Sequence, residues 1–161
     1  MKSLFDFIVE PVGQRYNNEI KVGDKSLVIN TKVESYKSVN NIAKVISTPL
    51  IYKTLIQPGD LLMIHHNVFR RFYDIKGNEK NSKSYFKDNL YFVQLDQVYL
   101  YKRNDNWKAF GNRCFVAPLQ DEVEINNWIE QKLIGVLKYG NSALEALEIN
   151  EGDLVGYKPF G

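Results

Sequence analysis

The sequence predicts an all-β protein, and three observations carry that prediction. Aromatic residues make up 13% of the 161-residue chain, with ten Tyr and nine Phe, and such residues are enriched in strands. The apolar runs are short and alternate with stretches that contain Gly, Pro, Asn or Asp, as strands separated by turns do. The one good helical pattern, at residues 142–148, is short, with Ser142 as its expected N-cap.

Residues 41–69 predict two buried strands around a turn. The apolar, partly β-branched run 42–47 is the first strand, and the continuous apolar run 61–64 is the second. Between them, Pro58-Gly59-Asp60 predicts a turn. The proline fixes its own φ, the glycine tolerates a positive φ, and the aspartate side chain can form a hydrogen bond with nearby backbone. Further strands are expected at 4–11, 90–93, 97–102, 113–118, 133–137 and 154–157, with a hairpin tip at 77–78.

Residues 132–161 repeat the plan of residues 41–69. In this alignment Val45 matches Val136, Asp60 matches Asp153, and an apolar run follows each aspartate. Residues 113–118 also copy the first strand, since both runs end in proline. The second copy lacks the long segment and the last strands of the first. We therefore expect a domain at 1–103 and a partial second repeat at 104–161.

Composition limits the classes of function. The net charge is only +2, with both signs interspersed, which disfavours a dedicated nucleic-acid grip or a basic membrane patch. No apolar run approaches the roughly 20 residues that a bilayer requires, and no signal peptide is visible. The single cysteine, Cys114, lies in the apolar run Cys-Phe-Val-Ala and is interpreted as a buried hydrophobe. These observations predict a cytoplasmic protein.

The segment 12–40 is too long for a plain hairpin loop, so it must contain strand pieces, serve as a functional mobile loop, or both. Within it, Leu27, Val28 and Ile29 form an apolar tripeptide among polar residues. The tripeptide is either a short strand or an exposed contact. The sequence alone favours the strand.

The order of elements over residues 4–102 resembles the GroES-type co-chaperonins, in a divergent, phage-like form. The resemblance lies in the first strand Phe7–Pro11, the tripeptide, the strand at 41–46, the run 58–64 with its Gly-Asp turn, and a last strand at 96–100. It implies a GroES-like β-barrel, here with a partial second GroES-like repeat. It also implies a GroEL-type chaperonin ring as partner, with Leu27, Val28 and Ile29 as partner-binding residues, and self-association into a ring or other homo-oligomer.

Catalytic chemistry has little support in the sequence. His65 and His66 are adjacent, and neighbouring strand residues point to opposite faces, so a shared metal is not expected. Asp60 and Asp153 are interpreted as turn formers, not as acids. No phosphate-binding loop or nucleophile motif is present. We therefore expect no enzyme activity, no catalytic residues, no metal and no cofactor.

Two hypotheses of function remain. The first is a co-chaperonin-like subunit that docks through the apolar tripeptide. The second is a structural or single-stranded nucleic-acid-binding module that keeps the fold and has lost docking. Arg70 and Arg71, beside Phe69, Phe72 and Tyr73, would suit stacking on single strands, although a solvated strand end is the preferred interpretation and nucleic acid is not the expected partner.

Overall fold

Strands form nearly all of the regular structure in a computed structural model that describes residues 2–16, 19–22, 25–28, 38–123 and 127–158. The α-helix in those ranges is the four-residue α1, Ser142–Glu145. The predicted all-β class is therefore confirmed. The chain divides into two compact units, Met1–Asp105 and Asn106–Gly161.

Among its described residues, the first unit contains ten strands, with 3₁₀ helices between some of them. The strands are β1 (Phe7–Pro11), β2 (Glu19–Val22), β3 (Lys25–Val28), β4 (Ile42–Ser47), β5 (Leu61–Ile64), β6 (Phe72–Tyr73), β7 (Glu79–Lys80), β8 (Tyr85–Lys87), β9 (Leu90–Val93) and β10 (Val98–Arg103). After β5 and β9 come the 3₁₀ helices His66–Val68 and Leu95–Gln97.

Six of these strands lie side by side in the antiparallel order β10-β5-β4-β1-β9-β8. Among the described residues β8 and β10 do not pair, so the sheet is open and not closed into the predicted barrel. The three side chains of β8 are all exposed, as expected for the edge strand of an open sheet.

Strands β5 and β9 bury one face, whereas β1 buries residues 7–9 in succession. In β5 and β9 every second residue is buried, which is the period of a strand with one face in the core. In β9 Tyr91 and Val93 are buried, whereas Leu90 and Phe92, on the other face of the strand, are only partly buried. Every residue of that strand is apolar or aromatic, so alternation in the sequence could not identify its buried face.

The second unit contains β11 (Asn106–Ala109), β12 (Phe115–Val123), β13 (Asn127–Tyr139), α1 and β14 (Leu154–Gly156). The last three strands form an antiparallel sheet in the order β12-β13-β14. The N-cap of α1 is Asn141, whose side chain accepts hydrogen bonds from Ala143 and Leu144, and not the predicted Ser142. Asparagine and serine are both good N-caps, so the sequence did not separate them.

Candidate functional site

The two ends of the segment between β1 and β4 lie side by side. We call this pair of ends, residues 12–16 and 39–40, the neck. Tyr16 and Val39 form an isolated antiparallel bridge, and the Asn40 N–H donates to the Arg15 carbonyl at 2.9 Å. Asn40 is buried, and its amide donates to the carbonyls of Val12 and Gln14 at 2.8 and 2.9 Å. One side chain therefore ties the two ends of the segment together.

Two arginines brace the base of this neck. The Arg15 guanidinium donates to the Phe69 carbonyl from Nε at 3.2 Å and from Nη2 at 2.9 Å. The Tyr16 hydroxyl accepts the Arg71 N–H at 2.6 Å, and the Arg71 guanidinium lies 4.9 Å from the centroid of the Tyr16 ring. The neck is thus attached to the chain that follows β5. The sequence analysis missed this role of Arg15 and Tyr16, because contacts across more than fifty residues leave no local pattern.

Strands β2 and β3 form a hairpin inside this segment, and they carry part of the predicted docking tripeptide. Leu27 pairs with Ile20, and Val28 pairs with Glu19. Ile29 lies outside the described residues. Among the described strands, β2 and β3 pair only with each other. The strand interpretation of Leu27 and Val28 is confirmed, whereas their role as partner-binding residues stays a prediction.

The turn between β4 and β5 is held by backbone and side-chain hydrogen bonds. The Val45 N–H donates to the Asp60 carbonyl at 2.9 Å, and the Gly59 N–H donates to the Val45 carbonyl at 2.8 Å. The Asp60 carboxylate accepts the Gln57 N–H at 2.8 Å. Gly59 has φ +95°, a conformation that costs glycine little. Asp60 is therefore a turn former in the first unit.

A bidentate ion pair adds to that turn. The Arg103 guanidinium donates to Asp60 from Nε at 3.0 Å and from Nη2 at 2.6 Å, and Nη2 also donates to the Leu55 carbonyl at 2.5 Å. Asp60 is 8% exposed. The Arg103 side chain lowers the pKa of Asp60 below its ordinary value, with the Gln57 N–H acting in the same direction and burial opposing them. The pair fastens β10 to the turn, which is a structural role.

The turn between β13 and β14 repeats this geometry in the second unit. The Leu137 N–H donates to the Asp153 carbonyl at 2.9 Å, and the Gly152 N–H donates to the Leu137 carbonyl at 2.8 Å. The Asp153 carboxylate accepts the Asn150 N–H at 2.7 Å. The residue equivalent to Val45 is therefore Leu137, one position beyond the Val136 of the sequence alignment.

Strand register and irregularities also agree between the units. In the first unit Ile8 pairs with Ser47 and Val9 pairs with Val45, with a bulge between the two pairs. In the second unit Phe115 pairs with Tyr139 and Val116 with Leu137, again with a bulge between them. Both prolines, Pro11 and Pro118, occupy the same place in the register. The two units thus share three strands, one bulge and one turn.

The two histidines do not point to opposite faces as the sequence analysis assumed. β5 ends at Ile64 and a 3₁₀ helix begins at His66, so neither histidine lies in a strand. Their rings stack with centroids 4.4 Å apart. Burial lowers the pKa of His66, and the nearby positive groups of His65 and Arg70 add to that effect. Within the described ranges, no group of three or more His, Cys, Asp or Glu could hold a metal ion.

Cys114 is exposed, so its interpretation as a buried hydrophobe was wrong. It lies one residue before β12, and Phe115 is the first residue of the strand. The apolar run 115–117 suggested burial because a single sequence does not show where a strand begins.

The hairpin β6–β7 and the edge strand β8 form an exposed surface that includes Phe72 and Tyr73 of the 69–73 cluster, whereas Phe69 is buried. Phe72, Tyr73, Tyr85 and Phe86 are all exposed, and Ile75 at the hairpin tip is fully exposed. A cleft of about 360 Å³ lies beside Phe72. The cluster of basic and aromatic residues at 70–87 was the signal that could have found this surface.

Comparison with known proteins returned no match among family models, curated proteins or solved structures. Within the described part of the chain, no helix is long and apolar enough to cross a membrane.

Proposed function

We propose that this chain is a co-chaperonin-like subunit that assists protein folding by docking on a GroEL-type chaperonin ring. Leu27, Val28 and Ile29 are the proposed contact residues. One observation carries the proposal: the β2–β3 hairpin pairs with itself among the described strands, on a segment joined to the unit at one neck. A hairpin attached in this way can enter a partner's groove while the main sheet stays unchanged.

The energetics of such docking favour many weak contacts. Each tripeptide that enters an apolar groove gains about 25 cal/mol per Å² of apolar surface buried, less the entropy lost on ordering the segment. A single contact of that size is weak. A ring of identical subunits binds far more tightly through effective concentration, and it releases when the partner changes shape.

Self-association would use exposed apolar surface, which the first unit has. The Leu50 N–H donates to the Ser3 carbonyl and the Ile51 N–H donates to the Leu4 carbonyl, both at 3.1 Å. These bonds bring two exposed apolar pairs together, namely Leu4 with Phe5 and Leu50 with Ile51. An apolar patch of this kind on a folded unit marks a surface for another protein. We assign it to a second copy of this chain, in a head-to-tail contact that can close a ring.

The proposed location is the cytoplasm. A subunit that serves a chaperonin must share its compartment, and a lone cysteine requires no oxidising environment.

The test is co-elution of the purified chain with a chaperonin ring in the presence of nucleotide. Leu27→Asp should abolish co-elution, because burying an unpaired carboxylate in an apolar groove costs several kcal/mol, of the order of the whole contact. Leu147→Asp is the matched control, since Leu147 is 70% exposed and lies in the other unit. It should co-elute as the wild type does.

Thermal unfolding separates docking from folding. If Leu27→Asp lowers the melting temperature of the first unit substantially, Leu27 is a core residue and the docking assignment loses its support. If wild type and both variants all fail to co-elute, the chain is the alternative module that lacks docking.

A further inference from the structure

One segment of this chain carries an excess of positive charge that the small net charge of the whole chain does not reveal. The full sequence carries a net charge of +2. Within residues 70–87 there are six Lys or Arg residues and only two acidic residues. That segment contains the hairpin β6–β7 and the edge strand β8. It shares no residue with the proposed docking hairpin, β2–β3. A local excess of positive charge on exposed strands is the electrostatic footprint of an anionic partner.

Strand pairing sorts these side chains by face. Phe72 pairs with Lys80 and Tyr73 pairs with Glu79, and directly paired residues share a face of the hairpin. The contacts agree with this, since the Arg70 guanidinium lies 5.3 Å from the centroid of the Phe72 ring and Arg71 forms an ion pair with Glu79 at 3.4 Å. One face therefore carries Arg70, Phe72 and Lys80, with Lys80 in an ion pair with Asp74 at 3.8 Å, while the acidic Glu79 lies on the other.

The cleft beside Phe72 continues this basic face. Its wall combines one aromatic ring, one lysine and several side-chain amides and hydroxyls, namely Phe72, Lys83, Asn67, Asn81, Ser84 and Gln97. Phe72 is 41% exposed, so part of its ring is open to a ligand. The cleft volume of about 360 Å³ lies within the usual range for a small planar ligand.

The loop that forms the cleft is fixed in place. The Ser82 hydroxyl is buried and donates to the Val68 carbonyl at 2.5 Å, and the side-chain oxygen Oδ1 of Asn81 accepts from Arg15 Nη1 at 3.0 Å. The Phe92 N–H donates to the Ser84 carbonyl at 2.7 Å. A site with its loop held at three points needs little reorganisation when a ligand enters.

Beyond the cleft, β8 presents a second aromatic and basic pair. Lys87 Nζ lies 5.8 Å from the centroid of the Phe86 ring, and Phe86 packs on Phe92 with centroids 4.7 Å apart. Phe86 is thus an exposed ring supported from behind, with a cation beside it. Phe72 and Phe86 each offer an exposed ring with an adjacent cation, the two kinds of group that bind bases and phosphates of a single strand.

We infer that residues 70–87 form a binding surface for single-stranded nucleic acid, with one unpaired base stacked on Phe72 in the cleft. The side-chain amides of the cleft face the hydrogen-bonding edge of that base, and Lys83, Lys80 and Arg70 contact the flanking phosphates. Duplexes are disfavoured because their bases are already stacked and cannot reach Phe72. This activity goes beyond docking on a chaperonin, and neither activity requires the other.

The test uses the full chain and a fluorescent single-stranded oligonucleotide of about 16 nucleotides, as DNA and as RNA, in about 50 mM salt. Anisotropy should show saturable binding. Phe72→Ala should weaken it by at least about five-fold, because base stacking on an aromatic ring contributes about 1 kcal/mol or more. Phe72→Trp should restore it. Lys83→Gln should weaken binding and reduce the slope of log affinity against log salt by about 0.7.

Matched controls make the result specific. Lys108→Gln removes the same charge from an exposed position on β11 and should leave binding unchanged. Leu27→Asp should also leave it unchanged, which separates this surface from the docking hairpin. Phe72 is exposed, so thermal unfolding of Phe72→Ala should match the wild type.

Four outcomes would overturn the inference. The first is no saturable binding of either oligonucleotide, and the second is equal weakening by Lys108→Gln and Lys83→Gln. The third is competition by duplex DNA or by polyglutamate as strong as that by the unlabelled single strand, which would mean a general polyanion or acidic-protein site. The fourth is binding to anionic lipid vesicles with none to oligonucleotides.

Discussion

The 57–60 turn of the first unit and the 150–153 turn of the second share their backbone hydrogen bonds but differ in how the aspartate is held. Asp60 is buried and forms two hydrogen bonds with Arg103. Asp153 is exposed, and its carboxylate accepts the Asn150 N–H. The turn therefore forms from its own residues, since it has the same geometry in both settings. The ion pair is an addition that fastens one further strand, β10.

The largest expected effect comes from removing the buried aspartate. Asp60→Ala leaves the Gln57 N–H and the Arg103 guanidinium without their acceptor, and it should cost about 2–3 kcal/mol. Asp153→Ala removes one exposed hydrogen bond and should cost about 1 kcal/mol. Hydrogen exchange at the Val45 and Leu137 amides reports each turn separately, because these amides donate to the two aspartate carbonyls. Equal losses of protection would mean that the ion pair adds nothing to the turn.

The second largest loss of stability is expected at Gly135, where strands β12 and β13 of the second unit lie very close together. A Cβ added at Gly135 would lie 2.5 Å from the Ala117 carbonyl oxygen, and backbone cannot move aside cheaply. Gly135→Ala should therefore destabilise the β12–β13 pair by about 1–3 kcal/mol, measured by urea unfolding. The control is Gly156→Ala on β14, where the nearest atom lies at 3.7 Å. A neutral Gly135→Ala would show that the two strands separate freely at that point. The equivalent position of the first unit is Ala43, which already has a Cβ.

The third effect concerns the helix that precedes the second turn. Asn141→Ala removes the side chain that accepts the Ala143 and Leu144 N–H groups, and it should cost about 1 kcal/mol. Ser142→Ala, at the N-cap that the sequence predicted, should be nearly neutral. Circular dichroism and urea unfolding of the two variants measure the difference. The reverse order would make Ser142 the N-cap, as the sequence predicted.

The smallest effect appears only in acid. The folded-state pKa of Asp60 is lowered from its ordinary value of 3.8, so its contribution to stability is complete above that value and is lost as the pH falls through the lowered pKa. The difference in unfolding free energy between wild type and Asp60→Asn should therefore shrink as the pH falls from about 6 to below 3.8. A difference that stays constant over that range would mean that the charge on Asp60 contributes nothing.

The sequence predicted the local elements well where the signal is local. The bounds of β4, β5 and β9 follow from apolar runs that adjoin turn residues on at least one side, and the 57–60 turn forms from a short Pro-Gly-Asp signal. The predicted repeat has the same register, bulge and turn in both units, apart from the one-residue shift at Leu137. The predicted docking role of Leu27, Val28 and Ile29 stays a prediction, since strand pairing alone does not identify a partner.

What the tertiary structure decided involves residues far apart in the chain. Arg103 meets Asp60 across 43 positions, and Arg15 meets Phe69 across 54, so neither contact leaves a pattern in a short window. The buried parity of β9, the exposure of Cys114 and the stacking of the two histidines depend on where strands begin, end and face. By itself the sequence determined the apolar strands, the turns between them and their repetition, because propensity and turn chemistry act over a few residues; it did not predict β11 or the full length of β12 and β13. The open sheet, the braced neck and the basic cleft required the folded chain, because only packing brings their residues together.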